Sequence, residues 1–268
     1  MTTGPTTVVA SDLDRTLIYS HSAAGAAAPE LVCVEVLDGR PQSFMTAAAH
    51  ALLNDVGRAA VLVPTTTRTP DQYHRVELPG GPAPFAVVSN GGHLLVDGVP
   101  DASWRSAVQA RIAEAGATLA EVVEHVDAAT DESWVRSRRI ADDLFCYLVV
   151  ELAAMPRSFV ADWTGWCGER GWVVSMQGRK IYALPAQLTK EAAIAEVVRR
   201  VGGTGLLAAG DGALDAGMLS MADDAIRPAH GELYETGWHA PHVRVTANIG
   251  VLAGEEIVRW FAERVAGR

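Results

Sequence analysis

The chain has 268 residues, 49% of them apolar and 20% charged, enough to bury one large core or two modest ones. Its net charge of −10 argues against a general nucleic-acid binder, because a phosphate backbone needs a basic face, and no apolar run approaches the length of a membrane span. Cys33, Cys146 and Cys167 lie far apart without C-x-x-C spacing, so they are expected as small buried hydrophobes rather than zinc ligands or disulfide partners.

The N-terminus lacks the basic and apolar regions of a signal peptide, which makes the cytoplasm the expected location. Of 22 basic residues only Lys180 and Lys190 are lysines, so each lysine invites a specific question.

Taken in chain order, Thr6 to Ser11 is a β-branched apolar run that reads as a buried strand, ending in the polar turn Asp12-Leu13-Asp14-Arg15-Thr16. Residues 31–45 alternate around Asp38-Gly39, the signature of a hairpin flap. Thr46 is placed to cap an alanine-rich helix running to about Val56, and Ala59 to Val63 is a second apolar strand leading into Pro64-Thr65-Thr66-Thr67-Arg68. The stretch from Pro70 to Pro84, rich in Pro and Gly, reads as a linker.

A separate α/β pattern follows. Phe85 to Val88 and His93 to Val96 are strands around Ser89-Asn90-Gly91-Gly92. Asp101 caps a helix with Trp104, Val108 and Ile112 on one face, and Thr118 with Glu121 forms a capping box. Strands at Trp134–Arg139 and Leu144–Glu151, a helix at Pro156–Arg170 and a hairpin across Gln177-Gly178 complete it. The first pattern then resumes with a helix from Thr189 to Val201, an apolar strand from Gly205 to Ala209 and the turn Gly210-Asp211-Gly212-Ala213-Leu214-Asp215. Short strands near Ile226 and Val243 and an amphipathic helix from about Val251 to Val265 close the chain.

Polar turns thus follow three apolar strands, near residues 12, 65 and 211. In a parallel doubly wound sheet, ligands bind outside the carboxyl ends of the strands, so these turns are expected to converge. Asp12 and Asp14, two apart in extended chain, point the same way. Asp211 and Asp215 add two acids on a glycine-rich turn, and magnesium prefers such hard oxygen ligands. Thr66, with its neighbours Thr65 and Thr67, offers hydroxyls and backbone N–H groups after the second strand. Lys190 opens a helix, where the dipole disfavours a cation, so a nearby anion would explain it. Each motif alone is also compatible with an ordinary solvated turn, strand end or surface lysine.

Together DLDRT at 12–16, TTR at 66–68, TKEAA at 189–193 and GDGALD at 210–215 resemble, in order, the motifs of the haloacid dehalogenase (HAD) superfamily of phosphohydrolases. The inserted segment, opened by SNGG at 89–92, resembles a type IIB cap like those of Cof-like, sucrose-phosphate and mannosyl-3-phosphoglycerate phosphatases. The resemblance implies an α/β fold: a Rossmann-like parallel-sheet core over 1–70 and 184–268, with an inserted α/β cap over 71–183. It implies Mg²⁺ held by Asp12, the Asp14 backbone carbonyl, Asp211 and Asp215, the last either as ligand or as orienter of a bound water. Asp12 would be the nucleophile that forms an aspartyl-phosphate and Asp14 the general acid and base, while Thr66, Thr67 and Lys190 hold the phosphoryl oxygens.

The expected substrate is a small phosphorylated metabolite, a sugar phosphate by analogy, and the expected state is monomer or homodimer. Arg15, where many relatives have glycine, either packs at the edge of the site or contacts substrate, as Arg68 would. Asn90 and Gly91 are the cap residues expected nearest the site. Leu214, in place of a common Asn, and Glu191 after Lys190 depart from the family pattern. A phosphosugar mutase of the same fold and a non-catalytic phosphate-binding regulator are the competing readings.

Overall fold

A computed structural model describes residues 6–25, 30–114 and 116–267. The run TVVAS forms β1 (Thr7–Ser11), buried along its whole length as a strand covered on both faces must be. β2 (Tyr19–Ser20) and α1 (His21–Ala24) follow, then the hairpin of β3 (Leu31–Leu37) and β4 (Arg40–Thr46), whose tight turn places Asp38 and Gly39 at φ 51° and 73°. That is the left-handed pair a two-residue hairpin needs. β4 lies between β2 and β3 in a three-stranded antiparallel flap.

Thr46 ends the flap and starts α2 (Ala47–Ala59), its hydroxyl accepting the Ala49 N–H at 3.0 Å and donating to Glu255 at 2.8 Å. On α2, Ala49, Leu53 and Val56 recur at helical spacing, and they join one core with Ile257, Val258 and Phe261 near the C-terminus. β5 (Val61–Pro64) is the next core strand. The segment after it, read from sequence as a linker, opens with one helical turn, α3 (Pro70–Tyr73), because Thr69 and Gln72 form a reciprocal capping box with Pro at the first position. β6 (Phe85–Val88), β7 (His93–Val96) and β8 (Val99–Pro100) make a small antiparallel sheet.

The next seven elements form a body of their own. They are α4 (Ala102–Ala113), α5 (Leu119–Ala129), β9 (Val135–Ala141), β10 (Phe145–Val150), α6 (Phe159–Gly168), β11 (Trp172–Gln177) and β12 (Lys180–Pro185). The strands make an antiparallel sheet in the order β11-β12-β10-β9. Tryptophans fill its core: Trp134 meets Phe159 edge-on at 4.6 Å, Phe159 lies 5.5 Å from Trp163, and Trp172 donates to the Ala117 carbonyl at 2.8 Å. Trp166 stacks on His125 at 3.8 Å. Arg136 and Arg138 face Glu151 and Asp127 at 3.5 and 3.0 Å.

The chain then returns through α7 (Lys190–Val201), β13 (Gly205–Ala209), α8 (Ala216–Met221), β14 (Asp224–Arg227), α9 (Glu232–Glu235), β15 (Val243–Val245) and α10 (Val251–Ala266). A five-stranded parallel sheet in the order β15-β14-β13-β1-β5 unites both halves of the sequence, with Ala10 paired to Ala208 on one side and Val63 on the other. The fold is therefore α/β, a parallel Rossmann-like sheet accompanied by antiparallel sheets.

Two compact units result, Met1–Asp101 with Lys190–Arg268 and Ala102–Thr189. The divisions read from sequence lay after residues 70 and 183. The hairpin of β6 and β7 goes with the first unit because Thr65 pairs in parallel with Val87 and the Thr66 N–H donates to the Val87 carbonyl at 2.8 Å. Cys146 and Cys167 are buried as expected, whereas Cys33 is exposed because it lies on the flap. No helix among the described residues is long and apolar enough to cross a membrane.

Candidate active site

β1 and β13 run side by side, and the Asp12 N–H still donates to the Ala209 carbonyl at 2.9 Å, which fixes where the Asp12 turn leaves the sheet. Leu13 is fully buried, and its carbonyl accepts the N–H groups of Thr16, Leu17 and Ile18 at 3.2, 2.9 and 2.9 Å. This anchor sends Asp12 and Asp14 away from the core. Arg15 pays with a left-handed φ of 63°, and the turn is closed by its N–H on the Ile18 carbonyl at 2.8 Å.

Asp12 is 6% exposed. Its Oδ1 accepts the Lys190 ammonium at 2.7 Å and its Oδ2 accepts the Thr16 hydroxyl at 3.3 Å. Lys190, at the start of α7 and 1% exposed, also donates to Asp215 Oδ1 at 2.6 Å. The second Asp215 oxygen accepts the N–H groups of Asp211 and Gly212 at 3.0 and 2.9 Å. Asp215 thus ties the glycine turn to Lys190, and a β-carbon on Gly210 would lie only 2.4 Å from it.

Asp12, Asp211 and Asp215 present oxygens all within 4.8 Å of one another. Burial, with repulsion from Asp215 and Asp14 and against the attraction of Lys190, raises the Asp12 carboxyl from 3.8 to about 7. Burial and the charges of Asp12 and Asp215 also push Asp211 well above the usual range. Burial works against the Lys190 ammonium, but Asp12 and Asp215 overcome it and raise its pKa above the ordinary value. Three buried carboxylates facing one buried ammonium leave an excess of negative charge. A hard divalent cation fits that donor set and would relieve it.

Thr66 is 1% exposed. Its hydroxyl accepts the Arg68 N–H at 3.1 Å, its N–H is taken by Val87, and its carbonyl accepts the Asn90 N–H at 2.9 Å. Ser89 donates to the Arg68 carbonyl at 2.7 Å, so the turn holding Asn90 and Gly91 is laced onto the Thr66 loop. Asn90, buried and left-handed at φ 55°, belongs to the first unit rather than to the insert where the sequence pattern placed it. Thr67 is half-buried on the same loop.

Arg15 places Nε 3.6 Å from Asp211 Oδ2, and its side chain remains 35% exposed. Glu191, an oddity in the sequence, is accommodated by Gly217, where a β-carbon would lie 2.4 Å from the carboxylate. Arg68 makes a two-pronged bond to Asp14, Nε to Oδ2 at 2.7 Å and Nη2 to Oδ1 at 2.8 Å. Its Nη1 reaches Glu35 at 2.9 Å.

Residues that no motif marks also shape the site. Glu35 of β3 and Ser43 of β4 stand behind Arg68, with the Ser43 hydroxyl donating to Glu35 Oε2 at 2.6 Å. His230 hydrogen-bonds the Arg15 carbonyl through Nε2 at 2.9 Å and accepts the Gly250 N–H on Nδ1 at 3.3 Å, which defines its neutral tautomer. Burial lowers its pKa accordingly. Gly231, at φ 88°, backs Asp211 so closely that a β-carbon would lie 2.5 Å from Oδ2.

The same architecture recurs in solved structures. The sucrose-phosphatase of Synechocystis sp. PCC6803 matches with a TM-score of 0.66 at 14% identity, over 96% of this chain and 98% of that one. Solved proteins of the haloacid dehalogenase superfamily share this fold. A HAD phosphatase from Bacteroides thetaiotaomicron matches at a TM-score of 0.54 and 13% identity, over 97% of this chain and 96% of that one. The HAD subclass IIB sugar phosphatase BT4131 matches at 0.58 and 11%, over 97% and 99%. No protein-family model matches the sequence, and no curated protein does. At such identities the likeness to HAD proteins establishes the fold, and the chemistry must be argued from the residues.

Proposed function

We propose that the chain is a phosphatase that hydrolyses small phosphate monoesters, sugar phosphates among them, through an aspartyl-phosphate on Asp12. One observation carries the reading: the buried Asp12 carboxylate lies 2.7 Å from the Lys190 ammonium and within a cluster of Asp211 and Asp215. That is a nucleophile beside a phosphate-binding cation and a cation-binding acid set. The solved structures of like fold include a sucrose-phosphatase and a sugar phosphatase, which favours the same substrate class.

In the first half-reaction an Asp12 oxygen attacks phosphorus while the bond to the leaving oxygen breaks, and Asp14 supplies the proton that this oxygen takes up. In the second, a water oxygen attacks the phosphorus of the aspartyl-phosphate, Asp14 takes the water proton, and the bond to Asp12 breaks to release phosphate. Lys190 and the Thr66–Thr67 loop hold phosphoryl oxygens, since phosphoryl transfer depends mainly on positioning and charge stabilisation. Asp12, the Asp14 carbonyl and Asp211 would hold Mg²⁺, with Asp215 either joining them as a ligand or orienting a bound water. Bound there, Mg²⁺ supplies charge neutralisation between the acids and the phosphoryl group.

The test is phosphate release by purified protein with Mg²⁺ from sugar phosphates and p-nitrophenyl phosphate. Release that vanishes in Asp12→Asn and on chelation is the expected result. No release, or full activity in Asp12→Asn, overturns the proposal. Isomerised sugar phosphate in place of inorganic phosphate would identify a mutase.

A further inference from the structure

We infer that Glu35, in the flap strand β3, is a positioning residue for Asp14 that acts through Arg68. The inference rests on the proposed role of Asp14 as proton donor and acceptor. It concerns what holds that carboxylate in place.

Glu35 is 4% exposed although it sits in an exposed hairpin, and a buried carboxylate is costly unless it is paired and hydrogen-bonded. Burial by itself raises its pKa, but hydrogen bonds from Arg68 and Ser43 hold the carboxyl below its usual value. Its partners are Arg68 Nη1 at 2.9 Å, the Ser43 hydroxyl at 2.6 Å and Arg75 Nε at 3.4 Å. An apolar residue would fill the same place without that demand, so the carboxylate is there for its partners.

Arg68 is the partner with a consequence. One edge of its guanidinium, Nε and Nη2, forks onto both oxygens of Asp14. The other, Nη1, is pinned by Glu35 and lies 3.5 Å from the Gln72 carbonyl. Nη2 is also 3.5 Å from the Ser43 hydroxyl. Every guanidinium nitrogen therefore has a protein acceptor, and the fork serves as a strut rather than as a grip on substrate.

The strut matters because Asp14 is 45% exposed, without the packing that immobilises Asp12. A carboxylic acid delivers a proton only when held within about 2.6–3.2 Å of the leaving oxygen. An arginine anchored at one edge presents a rigid, planar second edge, which fixes the plane of the carboxylate it binds. Through Arg68 the flap thus sets the orientation of the proton-handling group while leaving the nucleophile untouched.

Leaving-group dependence tests this. In Glu35→Gln, kcat for an alkyl phosphate, whose leaving oxygen needs a proton, is expected to fall about 10²-fold with KM nearly unchanged. With 2,4-dinitrophenyl phosphate, whose phenolate leaves unprotonated, the initial burst should keep its wild-type rate while later turnover slows. Arg68→Lys keeps the charge but loses the fork, should reproduce the pattern, and provides the test if Glu35→Gln does not fold. Equal losses for both leaving groups, or none, overturn the inference. Asp14→Asn run in parallel separates the two ideas: if it too lacks leaving-group dependence, the assigned role of Asp14 fails. If it alone shows the dependence, only the strut fails.

Discussion

The Lys190 ammonium lies 2.7 Å from Asp12, with the two side chains 1% and 9% exposed. A second acid, Asp215, is 2.6 Å from the same nitrogen. Lys190 is therefore a structural cation, quite apart from the phosphate-binding role proposed for it. Removing one member of such a buried set strands the others without compensation. Lys190→Met is expected to destabilise the metal-free protein by about 3–5 kcal/mol, measured by urea unfolding, and to abolish phosphate release. Unchanged stability would show that the acids are neutralised in another way.

The same cluster sets a pH dependence. Asp12 rises from 3.8 to about 7 and Asp211 rises well above the usual range, in each case first through burial. A carboxyl whose pKa is higher folded than unfolded binds protons preferentially in the folded state. Its contribution is complete below pH 3.8 and is lost as pH rises through about 7. Metal-free protein should therefore lose melting temperature across that window on account of these groups. Mg²⁺ should raise the melting temperature more near pH 8 than near pH 5. Asp211→Asn should flatten the metal-free slope, and a slope unaffected by that change would remove Asp211 from the account.

Much of this site was legible because its chemistry is local. Asp12 and Asp14 follow an apolar strand, as do Asp211 and Asp215, and parallel pairing of β1 with β13 brings the two turns together. Lys190 stood out as one of two lysines, and its place at a helix start agrees with its contact to Asp12. Other features depend on partners distant in sequence. Glu35 looks like any polar residue of a β-hairpin until Arg68 packs on it, and Asn90 looked like a residue of the insert until its N–H met the Thr66 carbonyl. Arg15 shows the middle case: its turn was visible, but the hydrogen bond from His230 to its carbonyl spans 215 positions.

In the second unit, Thr118 and Glu121 realise the capping box read from sequence. Thr118 accepts the Glu121 N–H at 3.3 Å, and Glu121 accepts the Thr118 N–H at 2.7 Å. Thr118→Ala should cost about 1 kcal/mol in urea unfolding and leave phosphate release intact. A loss of activity without a loss of stability would give Thr118 a role beyond capping.

Gly231 and Gly237 both have left-handed backbones, φ 88° and 68°, yet they differ in what surrounds them. A β-carbon at Gly231 would lie 2.5 Å from Asp211 Oδ2 and 2.8 Å from the Asp211 carbonyl, whereas at Gly237 it would meet nothing within 4 Å. Alanine at either position incurs backbone strain of about 1–3 kcal/mol. At Gly231 it must also displace Asp211, whose carbonyl accepts the Leu233 N–H at 3.0 Å, so the whole turn moves with the carboxylate. Gly231→Ala is expected to weaken Mg²⁺ binding by about 10–100-fold in calorimetric titration, as loss of support behind a metal ligand does. Gly237→Ala should show a similar stability loss with unchanged Mg²⁺ affinity. Equal affinities in the two variants would mean that Asp211 tolerates displacement, and that the cation is held by the other acids.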